Sequence, residues 1–314
     1  MSRIIQRLHP EVIWKTAQRC RKRGLLIPTF AQLRNPELIP ESVKAKLKGV
    51  GLWDVNPVNL FRITWKNDVN TGLYGKVNCL EIPQPLTGVK ARIIGLTGKY
   101  FPTGAHKVGA AFGCLVPRLV SGEFDPEIHK AAWPSTGNYC RGGAFDCAVL
   151  DCTAIAILPQ GMSRERFEWL RKIGAQIIAT PGCESNVKEI YDKCWELKED
   201  PHNIIFNQFE EFGNPLFHYH VTGPAFEEVL ADLRDSRLRP AAFISATGSA
   251  GTIAAGDFLK KKFPGVKIVA TEALQCPTLL RNGFGDHRIE GIGDKHVPWV
   301  HNVRNTDAVA AIDD

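Results

Sequence analysis

From about residue 92 onward, short apolar runs rich in β-branched residues take turns with helical stretches, and the connections between them are brief. Strands are predicted over 92–96, 154–158, 176–179, 204–206, 241–245, 267–271 and 308–312. Helices are predicted over 104–120, 141–150, 163–173, 185–197 and 252–263, with another inside 217–233; residues 131–132 lead into a loop at Pro134. The third of these helices has Ser163 to cap its start and Gly174 to stop it. Neighbouring parallel strands need a long crossover, and a helix supplies it. The alternation therefore commits the chain to an α/β fold with parallel sheets covered on both faces. Ligands of such folds sit beyond the carboxyl ends of strands, against helix N-termini, so the strand–helix junctions are where chemistry is expected.

At 314 residues the chain exceeds the ~250–300 residues that a single core holds, which favours two lobes. Residues 3–25 read as a basic amphipathic helix, with Ile4, Ile5, Leu8, Val12, Ile13 and Ala17 on one stripe. Prolines 28, 36, 40 and 57 break up the next stretch, which reads as an extended arm with a short helix at 41–48. Much of the formal charge of +6 comes from this N-terminal region. No nucleic-acid motif or interleaving of basic and aromatic residues accompanies it, so it reads as a solvated helix face and nucleic acid is not an expected partner. The nine cysteines are odd in number and contain no C-x-x-C pair, which argues against zinc ribbons and fits reduced thiols in the cytoplasm. Neither a signal-peptide core nor an apolar run of ~18–20 residues is evident, and no membrane or metal site is expected.

Three junctions carry chemistry. Lys107 closes a Gly- and Pro-punctuated loop that follows a strand and opens a helix. The helix dipole disfavours a cation there, and with partial burial it lowers the amine's pKa, making a better nucleophile toward a carbonyl. Alone, the loop is a weak signal and fits a solvated surface lysine better. Pro134 to Asn138 (Pro-Ser-Thr-Gly-Asn) gathers two hydroxyls, a glycine and an amide at a helix start, either a cradle for a carboxylate or an ordinary N-cap turn. Ser245 to Thr252 (Ser-Ala-Thr-Gly-Ser-Ala-Gly-Thr) joins an apolar strand to a helix through small residues. It lacks both nucleotide fingerprints, but its backbone can approach a small phosphate closely.

Together and in order, these loops supply a Schiff-base lysine, an anion cradle and a phosphate loop. Each also resembles a motif of the cysteine synthases. Tyr100 to Lys107 (Tyr-Phe-Pro-Thr-Gly-Ala-His-Lys) resembles their Asn-Pro-Thr/Gly-Gly-Ser-x-Lys segment. Pro134 to Asn138 resembles their Ser/Thr-Ser-Gly-Asn-Thr loop, and Thr247 to Ile253 their Gly-Thr-Gly-Gly-Thr-Ile/Leu loop. Shorter similarities at Asn56–Arg62, Gln208–Phe209, Asn214–Pro215, Thr222–Pro224, Glu272 and Glu290–Gly293 keep the same order to the chain's end. The chain is thus identified as a relative of the fold-type II, pyridoxal 5′-phosphate (PLP) dependent enzymes, cysteine synthase or cystathionine β-synthase-like.

The resemblance implies two lobes, each a twisted, mostly parallel sheet flanked by helices. Residues 1–50 are an extension; 51–100 with 216–314 form the larger, phosphate-binding lobe; 101–215 form a smaller mobile lobe carrying the lysine and the carboxylate loop. It implies that Lys107 carries the cofactor and serves as the base at Cα, and that Asn138 holds the ring hydroxyl. Thr247, Gly248, Ser249, Ala250, Gly251 and Thr252 bind the phosphate. Ser135, Thr136 and Gly137 take the substrate carboxylate with help from Gln208. The implied reaction is β-elimination or β-replacement on serine, O-acetylserine or cysteine by a homodimer. Alternatives are a threonine dehydratase-like or tryptophan synthase β-like enzyme, or a non-catalytic partner protein.

There are departures. Gly104 to Lys107 (Gly-Ala-His-Lys) matches tryptophan synthase β chains, and His106 is either a phosphate contact or a buried structural residue. Tyr139 stands where the family has Thr, a change expected to reshape the substrate site, and Cys140 reads as a small apolar residue or a reactive thiol. No Ser-Ser-Gly or Pro-Ser-x-Gly segment follows to face the pyridine nitrogen, so its partner comes from elsewhere or the chain is a truncated form. The extension is expected to cover a neighbouring subunit, and the final strand to leave a sheet edge open.

Overall fold

The structure is a computed structural model and describes residues 9–135, 137–182, 187–233, 238–289 and 291–314. Strands β1 (Cys79–Ile82) and β2 (Ile93–Leu96) form an antiparallel hairpin. Strands β3 (Lys130–Pro134), β4 (Thr153–Pro159), β5 (Gln176–Thr180) and β6 (Asn203–Ile205) form a parallel sheet in the order β5-β4-β3-β6. Strands β7 (Ala242–Ala246), β8 (Lys267–Ala273) and β9 (Ala308–Ile312) form a second parallel sheet, with β9 at its edge. This is the α/β architecture expected from the alternation.

The larger sheet is buried on both faces, and the period of two along a strand shows how. On β4, Ala154, Ala156 and Leu158 join the main core with Ala131 and Trp133 of β3. The intervening Ile155 and Ile157 pack on the other face with Ala132, Ile190 and Cys194. Trp133 lies flat on Phe206, ring centroids 4.6 Å apart.

Glycines set how closely the helices around the lysine approach. The helix Lys107–Ser121 crosses the helix Asn138–Leu150 at Gly142, where a Cβ would lie 2.7 Å from the Val108 Cα. It meets the short helix Gly213–Phe217 at Gly113 and Gly213; a Cβ on either would fall 2.1–2.3 Å from the other's carbonyl oxygen. Backbone-to-backbone packing of this kind brings the start of the lysine helix, the carboxylate loop and the segment after β6 together.

The short helix expected at 41–48 forms as Glu41–Leu47, but the stretch before it is not the extended arm expected: a helix spans Phe30–Arg34, with a 3₁₀ turn at Pro36–Leu38 between the two. The prolines open these elements instead of breaking them: Pro36 occupies a first helical position, where its missing N–H costs nothing, and Pro40 an N-cap. Thr29 and Gln32 form a reciprocal capping box. Leu33 and Leu47 are fully buried, and Phe30 packs on Phe112 and Phe217. The helix Pro10–Arg23 likewise lies on its own chain, with Arg23 paired to Asp151 at 2.8 Å and Arg19 to the same carboxylate. Both elements therefore pack on this subunit.

Two further differences follow from local sequence. The exposed hairpin strand β1 was not foreseen, because four exposed residues carry no burial pattern. The region 217–233 is helical but interrupted by a π-helical turn, His218–Thr222, ahead of the helix Gly223–Asp232. No described helix is long and apolar enough to cross a membrane.

Candidate active site

Lys107 is the first residue of its helix. Its Nζ donates to Gln208 Oε1 and to Ser249 Oγ, both at 3.0 Å. The buried Asn214 ties the two acceptors together, its Nδ2 donating to the Gln208 carbonyl at 2.9 Å and to Ser249 Oγ at 3.1 Å. One amine is thus held by residues 101 and 142 positions away in the chain.

Lys107 lines a cavity of about 540 Å³, within the range of small-molecule sites. Burial lowers its pKa to about 8, opposed only by the Cys114 thiol. This is the expected direction, and burial, one of the two causes expected, is the larger influence. His106 also lines the cavity. It stacks on Trp65 and meets His218 edge-on, and burial followed by the lysine charge pushes it down to about 3. A neutral imidazole beside Lys107 adds no second cation to the site.

Ser135, Gly137, Asn138, Gln208, Gly248 and Ser249 share the cavity wall with Lys107. Ser135 Oγ accepts the Gly137 N–H at 3.1 Å, curling the loop into the helix that Asn138 opens. Thr136 lies outside the described residues. Thr247, Ala250, Gly251 and Thr252 stand one layer back. The Thr247 hydroxyl donates to the Thr271 carbonyl at 2.7 Å, and Thr252 Oγ1 is hydrogen-bonded to Ser245 Oγ at 2.5 Å. Ala250 turns the chain with φ 58°. Gly251 must stay small, since a Cβ would lie 2.1 Å from Asn214 Oδ1. The loop ends on the ten-residue helix Ile253–Lys262, whose N-terminus favours an anion.

Tyr139 is buried edge-on against Trp133 and contributes to the cavity floor. Cys140 is buried, and burial pushes its thiol up to about 12, which favours its reading as a small apolar residue. Sequence reasoning missed Tyr191, Asn207, Phe209, Cys276, His287 and Asp294 in the wall. Asn207 and Phe209 flank Gln208, and Asp294 follows the Gly291–Gly293 segment; nothing local marked the others. Among the described residues no cluster of histidine, cysteine and carboxylate side chains is arranged to hold a metal ion.

Comparison with known proteins gives the chain's relatives. The family described as pyridoxal-phosphate dependent enzyme matches residues 75–313. A cysteine synthase of Staphylococcus aureus is 34% identical over 180 residues, 57% of this chain and 56% of that protein; the chain thus spans little more than half of that relative. Cysteine synthase B of Campylobacter jejuni is 34% identical over 215 residues, 67% of this chain and 69% of that protein. Among solved structures, a hydrogen sulfide-producing enzyme from Fusobacterium nucleatum superposes with a TM-score of 0.66 at 26% identity, covering 75% of this chain and 77% of that one.

Proposed function

The chain belongs to the pyridoxal-phosphate dependent enzyme family, and from that premise we propose that it performs cysteine synthase-like β-replacement or β-elimination on serine, O-acetylserine or cysteine, with Lys107 as its catalytic amine. The observation that carries the reading is the position of Lys107 Nζ, hydrogen-bonded at once to Gln208 and Ser249 beside a cavity that reaches the carboxylate loop.

The residues suit the cofactor. A buried amine with a pKa of about 8 is roughly one-tenth unprotonated at pH 7, enough to condense with an aldehyde. The Gly248–Thr252 loop and the helix after it offer small residues, a hydroxyl and a dipole to a phosphate dianion. Asn138 is the amide for the ring hydroxyl. When bound, pyridoxal phosphate supplies the electron sink for chemistry at the substrate's Cα. The protein's own part is then positional. Ser135 and Gly137, with Thr136, receive the substrate carboxylate at a helix start, and Gln208 orients both the lysine and the substrate. Lys107 removes the Cα proton and returns it. The proposal extends to a cytoplasmic homodimer in which residues 101–215 move as a smaller lobe over the substrate. The eight described cysteines, all free thiols, suit that compartment.

The test is the visible absorption of the purified protein with pyridoxal phosphate, before and after adding L-cysteine, L-serine or O-acetyl-L-serine. A visible band that shifts with one amino acid, and is lost in Lys107→Ala, is expected. A Lys107→Ala protein that keeps both the band and turnover would overturn the reading.

A further inference from the structure

One carboxyl in the cavity wall has no part in the chemistry above. Asp294 lines the same cavity as Lys107 and is buried. Its position is fixed relative to the phosphate loop, because the preceding Gly293 N–H donates to the Thr247 carbonyl at 2.7 Å. The Asp294 carbonyl accepts from the Cys276 thiol at 3.6 Å and from the Thr278 hydroxyl. Oδ1 accepts the Lys295 N–H at 2.8 Å. Oδ2 is fully buried and has no hydrogen-bond donor among the described residues. His296 Nε2 stands 3.6 Å from Oδ2 and 3.5 Å from the hydroxyl of Tyr191, a second lining residue.

We propose that Asp294 is the acid–base group that handles the proton of the substrate's β-substituent, and that the amino-acid substrate carries a hydroxyl or thiol at its β-carbon, as serine or cysteine does, in preference to an O-acyl ester. This rests on the β-chemistry proposed above and narrows its substrate. Acetate leaves as a weak base, its conjugate acid near pKa ~4, and needs no proton. A thiolate (~8.5) gains from one, and hydroxide (~15.7 for water) requires one. Elimination from serine or cysteine breaks the Cβ–O or Cβ–S bond with its electron pair going to the heteroatom. The pair left at Cα by proton loss to Lys107 forms the Cα–Cβ bond's second component. The proton on Oδ2 moves to the departing atom, which leaves as water or hydrogen sulfide. In replacement, the incoming nucleophile returns a proton to Oδ2 as its lone pair bonds to Cβ, so Asp294 ends as it began.

The acid must be protonated to begin. Burial raises the Asp294 carboxyl above its ordinary range, while the facing His296 and Lys295 pull it back. Tyr191 adds a neutral phenol, its own ionisation suppressed first by burial and then by Asp294. His287 stands close by, its Nε2 only 2.9 Å from where a Cβ on Gly293 would lie.

Two measurements on the full chain test this. In the cofactor-loaded protein, single-turnover release of the β-substituent is followed without added nucleophile for L-serine, L-cysteine and O-acetyl-L-serine. Asp294→Asn is expected to slow release from serine and cysteine by about 100-fold or more relative to O-acetylserine, the scale of a lost general acid. Equal slowing of all three, as a merely structural role would give, overturns the proposal. In cofactor-free protein carrying ¹³C-labelled aspartate carboxyls, the resonance lost in Asp294→Asn is expected to titrate above the ordinary aspartate range. Titration near pH ~4 overturns the proposal without reference to activity. A wild-type protein that accepts O-acetylserine alone defeats this inference and leaves the β-chemistry standing; one that releases nothing from any donor defeats both.

Discussion

Replacing Lys107 by methionine is expected to make the cofactor-free protein more stable at neutral pH. Burial takes the amine from 10.5 to about 8. At about 1.4 kcal/mol per pH unit, that depression corresponds to about 3 kcal/mol of penalty on the charged, folded form. The unfolded chain holds its proton up to 10.5 and the folded chain releases it above about 8. The penalty is therefore complete below about pH 8 and is relieved as pH rises from there to 10.5. Methionine fills similar space and carries no charge, but it forfeits the hydrogen bonds to Gln208 and Ser249, and solvent in the cavity already softens the cost. Allowing about 1 kcal/mol for those effects, Lys107→Met should gain about 1–2 kcal/mol near pH 7. Urea unfolding of both proteins near pH 7 and near pH 10.5 measures it, with the advantage expected to vanish at the higher pH. A variant less stable than the parent near pH 7, or an advantage that ignores pH, would refute the reasoning.

Other perturbations follow from the same contacts. Gly213→Ala places a Cβ 2.1 Å from the Gly113 carbonyl oxygen, and backbone cannot yield as a side-chain tip would, so a loss of about 2–3 kcal/mol is expected by thermal unfolding. Asp146 is fully buried, both its oxygens lack a partner among the described residues, and burial holds its carboxyl well above the usual range. Asp146→Asn should therefore raise the melting temperature near pH 7, with the gain shrinking as pH falls toward the unfolded value of 3.8 and absent below it. Asp307 behaves oppositely. Bonds from Lys260 and the Ile268 N–H hold it down to about 2, so its contribution is present above 3.8 and is lost as pH falls toward 2. Asp307→Asn should flatten the acid limb of the stability curve there.

The three loops were legible because each lies at a strand–helix junction and is punctuated locally by glycine, proline or hydroxyl residues. Their convergence was not. It depends on the Gly113–Gly213 and Gly142–Val108 approaches and on the Asn214 side chain, which are pairwise and leave no periodic trace. The N-terminal prolines were read as interruptions although Thr29 and Gln32 spelled a capping box, because Pro signals both the start of a helix and its end. The lysine's depressed pKa and the part played by burial are both legible in the sequence, but how fully the amine is buried belongs to the assembled cavity. Tyr191 and His287 come from segments with no recognisable spacing, and only packing brings them to the wall, whereas Asp294 directly follows the Glu290–Gly293 segment.

The account stands most directly on Lys107 as the amine that carries the cofactor. Borohydride reduction of the protein loaded with pyridoxal phosphate, followed by peptide mass spectrometry, would fix that bond permanently. The modified peptide is expected to be the one containing Lys107. Modification of a different lysine, or none at all in a protein that retains its fold, would contradict the account.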